Sequence, residues 1–216
     1  MGLDILRQAA GNCTDCGLAA GRKTVVFGEG DPKATLMLVG EAPGQDEDTQ
    51  GRPFVGKSGS LVNKWLGEAG IERSSVFIHN VVMCRPPGNR TPTDEEMKAC
   101  SSHFWAKTAA VSPRVVVTLG KTAATAVLGD SVSRLPMGQI RNGYYYDPQA
   151  RRLIVPTYHP SYVLRGNADA EQRIREDLEK ALRQLIRLNL YKGVPKAEWA
   201  AQVLIDTVEE LYGSEE

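Results

Sequence analysis

The sequence predicts an α/β fold of three layers (αβα), with a central, mostly parallel four-stranded sheet and further helices at the C-terminal end. Two observations carry this expectation. Short apolar runs recur at 36–39 (LMLV), 76–83 (VFIHNVVM), 114–119 (RVVVTL) and 153–155 (LIV), as strands covered on both faces require. The segments between and after them carry helical periodicity and helix end signals.

In chain order, 4–9 predicts a short amphipathic helix, 24–27 a first strand closed by Gly28 and Gly30, and Asp31-Pro32 a turn into the main strand at Leu36. Gly40, Pro43 and Gly44 then force a tight path at that strand's carboxyl end, where open α/β sheets bind ligands. Glu41, Asp46, Glu47 and Asp48 make the turn an acidic loop, with Phe54 beyond it. Residues 59–69 place Leu61, Val62, Trp65, Leu66 and Ala69 on one helical face. The run at 76–83 is interrupted by His79 and Asn80. An Asn there is either satisfied by nearby backbone or aimed at a ligand.

The segment 84–93, CRPPGNRTPT, holds three prolines and two arginines and reads as a stiff basic loop. Thr93 and Glu96 have capping-box spacing, so a helix starts there and carries Cys100. A small-residue helix follows the strand at 114–119, 131–137 reads as a loop, and 144–146 with 152–155 as a hairpin. Residues 168–190 and 196–212 are amphipathic helices broken by Gly193-Val194-Pro195. One domain over 1–190, with 191–216 as a helical extension packed on it, accounts for these patterns.

The 216 residues are 42% hydrophobic, enough for one core, and 26 Lys and Arg balance 26 Asp and Glu. Any nucleic-acid contact must therefore come from a local patch. The N-terminus lacks the pattern of a signal peptide, and no apolar stretch reaches membrane-spanning length, so a cytoplasmic protein without a membrane partner is expected. Reduced thiols there make metal ligation or burial the expected state of the four cysteines. Cys13 and Cys16 form a C-x-x-C hairpin, and Cys84 and Cys100 complete the set. The spacing suits tetrahedral zinc and an iron–sulfur cluster equally.

The stretch GEAPGQDEDTQGRPFVGKSG resembles the first motif of the uracil-DNA glycosylase superfamily in its family 4 form, and HPSYVLR at 159–165 resembles the second. The resemblance spans roughly residues 13–165. It implies a DNA repair enzyme that hydrolyses the N-glycosidic bond of flipped-out uracil, in single strands and in U·G or U·A duplexes, and leaves an abasic site. By the same resemblance Phe54 stacks on the base, Asn80 pairs with its polar edge, and Gly40 and Ala42 border it. His159 meets the departing uracil oxygen. Glu41 orients or activates water, with Glu47 and Asp48 as the alternative carboxylates and a place against the C5 edge of the base, excluding thymine, as the other role for Glu47; Ala42 stands where the best-studied uracil glycosylases carry Asp.

Lys57, Ser58, Arg85, Arg90, Ser161 and Arg165 would contact DNA, and Val163 and Leu164 would fill the gap left by the flipped base. Cys13, Cys16, Cys84 and Cys100 would hold a [4Fe-4S] cluster. A monomer is expected, in a bacterial or archaeal cytoplasm near the nucleoid, with a replication clamp as a further partner. The alternative from another class is a non-catalytic iron–sulfur nucleic-acid-binding module associated with replication.

Overall fold

A computed structural model describes residues 2–212, apart from the Ala168 side chain. Six strands form one sheet: β1 (Glu29–Gly30), β2 (Leu36–Gly40), β3 (Phe77–Asn80), β4 (Val115–Leu119), β5 (Tyr145–Asp147) and β6 (Arg152–Thr157), in the spatial order β1-β3-β2-β4-β6-β5. The central four, β3, β2, β4 and β6, are mutually parallel. Two antiparallel edge strands, β1 and β5, extend this centre beyond the four strands expected.

The helices are α1 (Leu3–Gly11), α2 (Gln45–Gln50), α3 (Lys57–Glu68), α4 (Asp94–Val111), α5 (Lys121–Leu128), α6 (Asp130–Ser133), α7 (Met137–Ile140), α8 (Ser161–Leu164), α9 (Ala168–Arg187) and α10 (Glu198–Tyr212). Alternation along the strands divides the core into two layers. Met37, Val39, Phe77, Val116 and Ile154 pack with Leu6, Ala10 and Phe104 from α1 and α4. Leu36, Leu38, Ile78, Val115 and Val155 pack with Val62, Trp65 and Leu66 from α3 and Ile174 and Leu185 from α9. Both sheet faces are covered, which is why the strands read as continuous apolar runs.

Several boundaries differ from the sequence reading, each for a local reason. Residues 24–27 are not a strand. Val26 N–H reaches the Met83 carbonyl, but the Phe27 carbonyl accepts from the buried Lys107 ammonium at 2.8 Å, so a side chain replaces a ladder partner. The acidic loop closes into α2, because the Glu47 carboxylate returns to the Gly44 N–H at 3.0 Å and caps the turn. The stretch 131–137, read as a loop, overlaps the short helix α6 and reaches the start of α7. The long helix stops at Arg187, ahead of Asn189 at φ 54°. The capping box at Thr93 forms as its spacing predicts, with Glu96 N–H on Thr93 Oγ1 and Thr93 N–H on Glu96 Oε2 at 2.8 Å.

Helix α10 lies against α9, where Leu182, Ala200 and Val203 share a cluster with Ala69. Trp199 Nε1 donates to Glu68 at 2.9 Å. Among the described residues, no helix is long and apolar enough to cross a membrane.

The connections after β2 and β4 place the ligand position. These strands are neighbours, yet the chain leaves β2 towards β3 on one side and leaves β4 towards β6 on the other. Their carboxyl ends therefore open a crevice, where sheets of this kind usually bind ligands.

Candidate active site

One cavity occupies that crevice and is lined by Glu41, Ala42, Phe54, Ser58, Asn80, Thr122, His159, Ser161 and Arg165 among others. Its floor depends on a glycine. A Cβ at Gly40 would stand 2.6 Å from the Phe54 ring and would also strike Asn80 Oδ1, so only a bare backbone lets that ring and that amide converge. Phe54 itself sits at φ 50°, an uncommon backbone for a side chain of this size. Gly59 of α3 permits it, since a Cβ there would collide with the Phe54 carbonyl.

Asn80 ends β3 and is 2% exposed, and its Oδ1 has no hydrogen-bond partner among the described residues. An unpaired buried acceptor costs roughly 1–3 kcal/mol. Beside an open cavity it is an acceptor held ready for a ligand's N–H.

His159 follows β6, with its ring 6.3 Å from that of Phe54. The Ser161 N–H donates to Nδ1 at 3.1 Å, and Ser161 Oγ lies 2.9 Å from the same nitrogen while accepting from Arg165 at 3.2 Å. Nδ1 is thus an acceptor, so the neutral ring carries its proton on Nε2. Burial, aided by the Arg165 charge and opposed by Glu47, pushes this histidine down to about 4. At neutral pH it is an uncharged hydrogen-bond donor. Gly120, at φ 93°, allows the close approach, since a Cβ there would lie 3.1 Å from the His159 Cβ.

The acids of the motif separate by environment. Glu41 is half-buried, and its Oε2 accepts from Thr122 Oγ1 at 2.5 Å. Both Glu47 oxygens are committed to backbone: Oε2 to Gly44 N–H, and Oε1 to the N–H groups of Val55 and Gly56 at 2.9 and 2.8 Å. A carboxylate so engaged braces the loop that carries Phe54, and it also borders the cavity. Asp48 is buried and accepts from the N–H groups of Lys23 and Thr24. Glu41 is the acid of this group that bonds across the crevice to α5, and its second oxygen has no hydrogen-bond partner among the described residues.

Around the rim, Lys57 is exposed at the start of α3 and Ser58 lines the cavity. Arg165 lies over the Tyr162 ring at 5.5 Å. Leu164 is 47% exposed, whereas Val163 packs inward against the α3 and α9 layer. Arg85 is held by Asn89 Oδ1 at 2.7 Å. Arg90 makes a two-point pair with Glu96 at 2.8 and 2.6 Å. Its charge is already matched, which weakens its expected phosphate contact.

The four cysteines are free thiols lining a separate, small cavity with Leu18, Arg22 and Met83. Cys84 and Cys100 are buried, and burial raises both, Cys100 to about 11. Arg22 lies 3.4 Å from Cys84 Sγ and donates to the Cys13 carbonyl at 2.7 Å. Cys13, Asp15 and His103 also bring ligand atoms within 4.8 Å of one another, a donor set of thiol, carboxylate and imidazole that could hold a metal ion.

The model of the uracil DNA glycosylase superfamily matches residues 27–185. The chain belongs to that superfamily. It is similar to the type-4 uracil-DNA glycosylase of Thermotoga maritima, at 43% identity over 83% of this chain and 92% of the relative. It is also similar to the type-4 uracil-DNA glycosylase of Pyrobaculum aerophilum, at 42% over 78% and 87%. The type-5 uracil-DNA glycosylase of Thermus thermophilus matches at 32% over 76% and 80%.

In this superfamily member Glu41, Ala42, Phe54, Ser58, Asn80, His159, Ser161 and Arg165 border one space, and Gly40 lies beneath it. Lys57, Arg85, Val163 and Leu164 are outside the cavity lining. Thr122, Gly120 and Arg22 belong to the two sites and were missed in the sequence. Thr122 and Arg22 carry no motif, and Gly120 read as ordinary strand-to-helix packing.

Proposed function

We propose that this chain is a monofunctional uracil-DNA glycosylase of the type-4 group, acting on uracil in single-stranded and duplex DNA. The observation that supports it best is the buried, unpartnered Asn80 oxygen beside the Phe54 ring, facing a histidine that is neutral and protonated on Nε2. Uracil offers an N–H between two carbonyl oxygens. Flipping it out costs a few kcal/mol, least where pairing is weak. Phe54 stacks on the base, Asn80 Oδ1 accepts from its N3–H, and the amide nitrogen donates to O4. Cytosine presents an acceptor at N3 and an amine at C4, so both contacts fail.

As the bond from C1′ to N1 breaks, its electron pair moves onto the uracil ring. His159 Nε2–H stabilises the charge that develops on O2 without having to give up a proton. Glu41 faces the positive charge left on the sugar and orients the water whose oxygen joins C1′, and the water's second proton leaves to solvent. The uracil anion takes a proton from solvent in turn, so the products are uracil and an abasic site. Lys57, Ser58, Ser161 and Arg165 would contact the DNA backbone, with Leu164 filling the vacated stack.

Cys13, Cys16, Cys84 and Cys100 would hold a [4Fe-4S] cluster. The fit rests on the donor chemistry: all four thiols line one cavity, two of them buried, and the Arg22 guanidinium beside Cys84 matches the negative charge that thiolate ligands carry. Such a cluster would supply a cross-link that fastens the N-terminal segment to the loop after β3. The non-catalytic module is not favoured, because binding alone has no use for a preset histidine tautomer.

The test is incubation with a uracil-containing oligonucleotide and alkaline cleavage of the product. Cleavage at uracil and not at cytosine is expected; intact strands in single-stranded, U·G and U·A substrates would sink the assignment. Broad visible absorption that bleaches on reduction is expected of the purified protein, and a colourless protein with stoichiometric zinc would remove the cluster.

A further inference from the structure

The contact between Thr122 and Glu41 has no counterpart in either sequence motif. Glu41 follows β2, and Thr122 lies in the first turn of α5, just after β4. The 2.5 Å hydrogen bond from Thr122 Oγ1 to Glu41 Oε2 therefore spans the crevice between two neighbouring strands, joining residues 81 apart in the chain. Both residues are half-buried and both line the cavity. A hydroxyl donating to a carboxylate over this distance is a strong, charge-assisted bond. It claims one carboxylate oxygen, and the other has no hydrogen-bond partner among the described residues.

The position of the acid makes such a restraint necessary. Residue 42 is Ala, so the carboxylate comes from Glu41, whose longer side chain has one more rotatable bond than Asp. An untethered Glu loses up to about 2 kcal/mol of rotamer freedom when it is fixed. Reaction in the site needs the carboxylate in one place when the sugar becomes cationic. The crevice offers a rigid donor for this, since α5 starts directly from the buried strand β4.

We infer that Thr122 is the positioning residue for the catalytic carboxylate: its hydroxyl fixes the Glu41 side chain so that the free oxygen meets water and the sugar. This rests on the glycosylase reading. It predicts that the chemical step depends on a hydroxyl at 122, whereas DNA binding does not.

The experiment compares Thr122→Val, Thr122→Ser and Thr122→Ala with the parent in single-turnover uracil release, alongside equilibrium binding to DNA carrying a non-cleavable 2′-fluorinated deoxyuridine. Thr122→Val is expected to slow release on the order of 10- to 100-fold. Affinity for the analogue should change less than about 2-fold, and Ser should restore most of the rate. Thr122→Ala stands in if Val does not fold. In a Glu41→Gln background, removing the hydroxyl should cost little more, because the two residues act as one unit. Parent-like rates in Val and Ala, or an equal loss with and without Glu41, would overturn the inference while leaving the glycosylase intact. A parent protein that releases no uracil would instead remove the reading beneath it.

Discussion

Two histidines, one half-buried at the cavity and one fully buried in the core, show how the same side chain is put to different ends. His159 has Nδ1 fixed by the Ser161 N–H and lines the cavity. His79 is fully buried in β3, stacked on Phe104 at 4.9 Å, and neither ring nitrogen has a partner among the described residues. Burial, and then the nearby Lys107 charge, holds it well below the ordinary histidine value. Both rings are neutral at pH 7. Only the first has a defined tautomer and somewhere to donate. Burial and a lowered pKa are therefore not marks of function by themselves; a fixed proton next to a cavity is. Asn80, adjacent to His79 on the same strand, sharpens this, since its unmet oxygen lies against the cavity and the His79 nitrogens lie in the apolar layer.

The largest effects should follow from the cavity side. Asn80→Ala and His159→Ala should each slow uracil release about 100- to 1,000-fold, the range for removing one donor from a charge-stabilising site. Single-turnover rates measure it; a loss below about 5-fold in His159→Ala would equate the two histidine environments, and one that small in Asn80→Ala would remove the amide from base recognition. Gly40→Ala comes next. Its methyl group would displace the Phe54 ring or the Asn80 amide, so release should fall about 10- to 100-fold with little loss of fold. Circular dichroism and activity together check this.

Acid stability separates the histidines more finely. In the unfolded chain both rings bind protons below about pH 6.5. The folded chain resists this until about 4 at His159, and burial likewise holds His79 well below the ordinary histidine value. The unfolded state thus binds more protons, and stability contributed by both is complete above about pH 6.5 and declines as pH falls below it. His79→Phe should flatten that decline, measured as denaturation midpoints at pH 5 and 8, and should leave uracil release within about 2-fold. The smallest effect is expected from Arg90→Gln on DNA affinity, under about 3-fold in a salt titration, because Glu96 already matches the charge.

Much of the fold was legible because it is written in short-range pattern. The runs LMLV and VVVTL state a strand covered on both faces, and Thr93 with Glu96 states a helix start, without reference to any distant residue. Gly40 and Phe54 were legible as members of a motif, although why Gly40 must be Gly required the Asn80 amide, which arrives 40 positions later.

Which partner each polar group meets was settled by the folded chain alone. From sequence, Glu41, Asp46, Glu47 and Asp48 were four acids in one loop. In the folded chain Glu47 holds three backbone N–H groups, Asp48 anchors residues 23 and 24, and Glu41 alone reaches across to Thr122. Arg90, expected at a phosphate, pairs with Glu96 in the folded chain. The layered α/β architecture and the three loops at the ends of β2, β3 and β6 were already dictated by the order of residues, because apolar period and turn chemistry act over a few positions. The roles within those loops depend on hydrogen bonds between residues up to 81 apart, and such pairings exist only once the sheet has brought the loops together.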